Sequence, residues 1–176
     1  VANEVETQVI DWCKQIVGLP PEAGGLLVSG ASMANFVAMA VARNQATSID
    51  VRAEGVAALP RPLVFYASTE VHSCLQKAIE LLGHGSRALR RVAVDENYRI
   101  DTEVLARAIA ADREAGAQPC AVIGNAGTIN TGAVDDLAAL HEQPSDSEKQ
   151  GSVSLWPNRN PVVGLGRRWP VFGRDD

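Results

Sequence analysis

VFYASTEVHSCLQKAIELLG, residues 64–83, decides the fold. Leu63 to Ala67 is a short, unbroken apolar run and reads as a buried strand. Ser68 to Ser73 is polar and leads into a helix through Leu82, which Gly83 ends. An unbroken apolar strand followed directly by a helix is the unit of a parallel sheet. A strand covered on both faces has no reason to alternate polar and apolar residues.

The same unit recurs on either side. Upstream, Leu26-Leu27-Val28 reads as a strand that breaks at Ser29-Gly30-Ala31-Ser32 into a helix from Met33 to about Arg43. Met33, Phe36, Val37, Ala40 and Val41 give that helix a broad apolar face. Ahead of it, Val5, Val9, Trp12, Cys13, Ile16 and Val17 recur at helical spacing, with Asn3 placed as a cap and Gly18 and Pro20 as a stop. Residues 46–62, with Gly55, Pro60 and Pro62, read as loop. Downstream, Leu89 to Val94 is a third strand and residues 95–98 a turn. Asp101 caps the next helix, Ile100 and Leu105 are placed as a hydrophobic staple, and Gly116 closes it. Cys120 to Ile123 is a fourth strand, 124–132 a Gly/Thr/Asn loop, and Val134 to His141 a helix start. The expectation is an α/β fold with a mainly parallel sheet covered by helices.

The 176 residues suffice for one domain with a real core and are too few for two typical ones. Hydrophobic residues at 46% and charged residues at 21% are ordinary for a globular chain. A net charge of -5 argues against nucleic acid or an anionic membrane as the main partner. No apolar run approaches the ~20 residues that cross a bilayer. Cys13, Cys74 and Cys120 are odd in number, far apart and without metal spacing, which suits buried, reduced thiols in a cytoplasmic protein. The first residues carry neither a basic flank nor an apolar core of a signal peptide, and the missing initiator Met suggests a start inside a longer gene product. From Gln143 to Asp176 the chain turns Pro-, Gly- and Arg-rich and loses any period, which reads as a poorly ordered or loosely docked tail.

In open α/β sheets, ligands bind beyond the carboxyl ends of the strands. Three segments qualify. Ser29-Gly30-Ala31-Ser32 is a small-residue turn at a helix N-terminus, where unpaired N–H groups and the helix dipole suit a phosphate or carboxylate. It reads equally as a tight turn with serine as a cap. Ser68 to Ser73 contains His72, which suits stacking on an aromatic ligand or titration near neutral pH, or else simply faces solvent. Gly124 to Gly132 offers flexible glycines with Thr128, Asn130 and Thr131 as compact hydrogen-bonders, or is a plain connection. Phosphate-loop and dinucleotide fingerprints are absent. Gly30-Ala31-Ser32-Met33-Ala34 falls one residue short of a hydrolase nucleophile elbow, which leaves a rival reading with Ser32 as nucleophile and His72 or His141 as base.

Together these stretches resemble the group II pyridoxal-phosphate decarboxylases, the family of aromatic-amino-acid, histidine and glutamate decarboxylases. The resemblance is carried by EVETQVIDWCKQIVGLP (4–20), GGLLVSGASMANFVAMAVAR (24–43), VFYASTEVHSCLQKAIELLG (64–83) and CAVIGNAGTINTGAVD (120–135). It runs from about residue 3 to 142. It implies part of the large domain of the aspartate-aminotransferase-like fold over 1–142, pyridoxal 5'-phosphate as cofactor, an amino acid as substrate and a homodimeric parent. By the same resemblance, Ala31 and Ser32 match the turn that holds the cofactor phosphate. His72 matches the histidine that stacks on the pyridine ring, and Thr128 the threonine of the family's Gly-Thr loop near the cofactor and substrate.

The family also uses a lysine that forms a Schiff base with the cofactor and an aspartate that pairs with the pyridine nitrogen, both downstream of residue 135. The lysines here are Lys14, Lys77 and Lys149, none in the family's context, and no His-Val-Asp strand follows His141. Residues 143–176 are therefore expected to be divergent sequence, as a frameshift, mis-spliced exon or truncation would produce. The implied activity is decarboxylation of an amino acid. The 176 residues alone are expected to be inactive, or to serve as a non-catalytic partner of a full-length subunit.

Overall fold

The computed structural model describes residues 2–17, 21–141, 154–155 and 163–164. In chain order the elements are α1 (Ala2–Val17), α2 (Ala31–Gln45), α3 (Val51–Glu54), β1 (Leu63–Ser68), α4 (Ser73–Leu81), β2 (Leu89–Val92), α5 (Thr102–Glu114), β3 (Gln118–Ile123), α6 (Leu137–His141), β4 (Ser154–Leu155) and β5 (Val163–Gly164). The last two form a small antiparallel pair.

The sheet has the order β2-β1-β3, all parallel. All six residues of β1 are buried, as an unbroken apolar run in a central strand demands. The pleat sends Leu63, Phe65 and Ala67 to one face, where they pack with Met39 and Ala42 of α2 and with Leu75 and Ile79 of α4. Val64 and Tyr66 go to the other face, against Leu105 and Ile109 of α5 and Leu140 of α6. The result is a sheet sandwiched between two helical layers. Pairing of β1 with β3 skips a residue, with Val64 opposite Pro119 and Phe65 opposite Ala121. Pro119 has no N–H to give the ladder, so an irregularity at Cys120 is where proline is tolerated.

Asp101 caps α5 through bonds from the amides of Glu103 and Val104, both 2.9 Å, and Ile100 and Leu105 meet in the core as the staple requires.

Four expectations need correction. No strand forms at 26–28: Leu26 and Leu27 are exposed, and the Leu27 amide is taken by the Glu6 carboxylate at 3.0 Å instead of a neighbouring strand. Residues 46–62 contain α3, which Asp50 caps through the Arg52 amide, and a 3-10 turn at Val56–Ala58. Helix α1 begins at Ala2, so Asn3 lies inside it rather than capping it. Cys13 is not a buried thiol: it is exposed, as are Val5, Trp12 and Ile16 on the same helix. That helix lies against the extended segment after it, where Lys14 donates to the carbonyls of Pro21 and Ala23 and Ile10 meets Gly25. The proposed stop at 18–20 and, apart from the β4–β5 pair, the tail from residue 143 lie outside the described residues.

Candidate functional site

The order of the sheet reverses at β1: the chain runs from β1 to β2 on one side, then crosses to β3 on the other. The carboxyl ends of β1 and β3 therefore flank the point where ligands settle in open α/β sheets. Ser68 ends β1, and its hydroxyl accepts a 2.9 Å bond from the buried Asn125 amide, which follows β3. At Gly124 the chain has no room for a side chain. An added Cβ would lie 2.6 Å from Leu137 and 2.9 Å from Leu140, so glycine lets α6 close under this end of the sheet.

The turn into α2 is sharp. Gly30 has φ 123 and ψ 170, backbone space that is essentially glycine's own, and its amide reaches back to the Val28 carbonyl at 2.8 Å. No side chain caps the helix, and its first internal bond runs from Ala34 to Gly30. Ala31, Ser32 and Met33 are exposed. Their amides thus face outward at the positive end of a 15-residue helix, with only small side chains at Ala31 and Ser32. The alternative of a serine cap is not formed: Gly30 holds the capping place, and no side chain caps the helix.

His72 caps α4. Its Nδ1 accepts from the Cys74 amide at 3.1 Å, which leaves the neutral ring's proton on Nε2, and the imidazole is exposed. Cys74 also receives the buried side-chain amide of Asn35 on its sulfur at 3.0 Å. Asn35 sits one turn into α2. One residue, Cys74, therefore ties the His72 ring and the α2 turn to each other. Thr128 is buried, and its hydroxyl is turned into its own loop: it lies 2.5 Å from the Thr131 hydroxyl and accepts from the Ala133 amide at 3.2 Å. Ala126 and Val134 bridge the base of that loop.

The structure thus brings Ala31, Ser32, His72 and Thr128 to the carboxyl end of one sheet. Lys14 is engaged with Pro21, Ala23 and Asp11, Lys77 is exposed on α4, and Lys149 lies outside the described residues. No hydrogen bond joins Ser32 to His72 among the described residues, so the hydrolase pair is not assembled; of His141, only its place at the end of α6 is described. Sequence reasoning missed Asn35, Ser68, Asn125 and Asp135, the buried polar residues beneath the site. Ser68 alone carries a signal, a polar residue at the end of an apolar run, which any loop also gives.

An outward helix terminus, linked through Asn35 and Cys74 to the helix that an exposed imidazole caps, suits a ligand with an anionic group and a flat ring. A sequence model described as "Pyridoxal-dependent decarboxylase conserved domain" matches residues 1–147. The chain belongs to this decarboxylase family. It is 37% identical over 147 residues to the aromatic-L-amino-acid decarboxylase of Bacillus atrophaeus, covering 84% of this chain and 29% of that one. It is similar to the crystal structure of mouse CSAD, with a TM-score of 0.74 and 34% identity over 78% of this chain and 28% of that one. A third relative is Oryza sativa TDC, solved with PLP and tryptamine, at TM-score 0.71 and 26% identity over 86% of this chain and 32% of that one. The three-layer arrangement is accordingly part of the aspartate-aminotransferase-like fold. This decarboxylase-family chain spans a little under a third of the length of those relatives. Membership in the family sets the Ser32 hydrolase aside.

Among the described residues, no helix is long and apolar enough to cross a membrane, and no group of three His, Cys, Asp or Glu is placed to hold a metal.

Proposed function

We propose that these residues form the phosphate- and ring-binding part of a pyridoxal-phosphate-dependent amino-acid decarboxylase, a carbon–carbon lyase. The observation that carries the reading is the uncapped N-terminus of α2, whose first turn is bonded through Asn35 to Cys74 at the His72-capped start of α4. The residues fit the phosphate and the ring. The amides of Ala31 and Ser32 and the Ser32 hydroxyl hold the phosphate, as helix termini hold anions. The His72 imidazole, whose Nδ1 accepts from the Cys74 amide, would stack on the ring. Thr128 shapes the substrate end through its loop rather than through a free hydroxyl. When bound, the cofactor supplies an electron sink for the bond that releases CO2. Lys14, held by three neighbours, is not free to anchor it covalently.

The 176 residues alone are expected not to turn over. The lysine and the pyridine-binding aspartate belong to a complement of sequence outside residues 1–142, and 143–176 reads as divergent. We take the parent to be a cytoplasmic homodimer. Free Cys13, Cys74 and Cys120 support the compartment, and the exposed apolar side chains of α1 support a covering partner.

Titration with pyridoxal 5'-phosphate, followed by borohydride reduction and mass spectrometry, tests this. Saturable binding without a modified lysine is expected. Stoichiometric modification of Lys14, Lys77 or Lys149, or decarboxylation by this chain alone, would refute it.

A further inference from the structure

We infer that Asp135 is a positioning residue that sets the ring end of the proposed site, an assignment that rests on the reading above. Asp135 is 3% exposed. A carboxylate so placed is costly unless both oxygens are satisfied. Here Oδ2 accepts from the Asn125 amide at 2.6 Å and Oδ1 from the Ile100 amide at 2.7 Å. The Asp135 amide donates in turn to the Asn125 carbonyl at 2.8 Å, which closes the loop that carries Thr128. Ile100 precedes the cap of α5, and the Asn125 side chain holds Ser68 at the end of β1. One buried carboxylate thereby fastens the exits of β1 and β3 to the entry of α5. Thr128 lies three residues beyond Asn125, and His72 four beyond Ser68. No bond of Asp135 or Asn125 reaches the α2 turn, which is tied through Asn35 to Cys74 beside His72.

This division makes the role testable. Asparagine at position 135 keeps the shape but offers one acceptor to two N–H donors, so one amide is left opposed by another donor. In Asp135→Asn, affinity for pyridoxal 5'-phosphate should fall about tenfold while affinity for inorganic phosphate stays within about twofold. The induced circular dichroism of the bound pyridoxal chromophore should vanish, because its ring is no longer held in one orientation. Equal weakening of both probes, or no change in either, overturns the assignment. If the unmodified chain binds neither probe, the cofactor-site reading fails. Amide exchange then still decides the clamp: Ile100 or Asn125 must open selectively in Asp135→Asn while β1 stays protected, and uniform or absent acceleration rejects it. Should that variant not fold, Ser68→Ala, which cuts the tie to β1, must show the same split between the two probes, and an unsplit response overturns the role.

Discussion

Replacing Gly30 with alanine isolates the strain on which the phosphate turn depends. Gly30 holds φ 123 and ψ 170, a conformation that costs a residue with a Cβ about 1–3 kcal/mol. Nothing lies within 4 Å of the added Cβ, so no clash contributes and the whole effect is backbone conformation. Two outcomes share that energy. If the variant keeps the turn, the free protein carries the strain, and denaturant unfolding shows a loss of about 1–3 kcal/mol with phosphate affinity intact. If the turn relaxes, stability is kept, but binding must rebuild the turn, and the affinity falls roughly five- to 150-fold for the same energy. Urea unfolding and calorimetric titration with inorganic phosphate, on one preparation, give the two parts. Their sum should match the strain. A variant as stable and as tightly binding as the parent, with a sum under about 0.5 kcal/mol, refutes both the strained turn and its use for phosphate.

Two other perturbations probe the scaffold. The buried Tyr66 phenol donates to Asp112 at 3.0 Å, and burial together with the Asp112 charge raises its pKa well above the usual value; Arg90 completes the cluster with bonds of 2.7 to 3.1 Å to the same carboxylate. Tyr66→Phe should therefore cost about 1 kcal/mol and Asp112→Ala roughly 1–3, since the second strands a buried hydroxyl, and equal losses by denaturant unfolding would count against this. His84 packs edge-on against Phe65 with its Nε2 buried and unpartnered, and burial, with Arg43 nearby, lowers its pKa from 6.5. The unfolded chain then takes up the proton first, so stability should fall as pH drops through about 6.5 and level off below the folded value. An unchanged pH slope in His84→Phe would remove His84 as the cause.

Much of the frame is written locally. Asp101 with Ile100 and Leu105 specifies the start of α5, and the unbroken run at 63–67 marks a strand buried on both faces, because both signals are carried by adjacent residues. Leu26 to Val28 shows the limit. Its composition is strand-like, yet strand formation needs a neighbouring edge, and here its amide meets a glutamate of α1. The stripe of α1 has helical spacing without a core to face, since periodicity records amphipathicity and not what lies opposite. Ala31, Ser32 and His72 stood out because they follow strands or open helices. Asn35, Ser68, Asn125 and Asp135 did not, because a buried hydrogen bond between residues 57 positions apart, as in Ser68 to Asn125, leaves no trace in local pattern. The link between His72 and the α2 turn through Cys74 is of the same kind.

The place of β1 between β2 and β3 also bears on how the chain reaches this state. Its apolar run is finished by residue 68, but one edge waits for residues 89–92 and the other for 118–123. During synthesis this apolar segment therefore lacks both of its strand neighbours while some 50 further residues are made. Such strands are templates for pairing with other chains. The hazard is greatest between completion of β1 and arrival of β3, so slowed translation or a chaperone bound over residues 63–68 should decide the yield of folded protein.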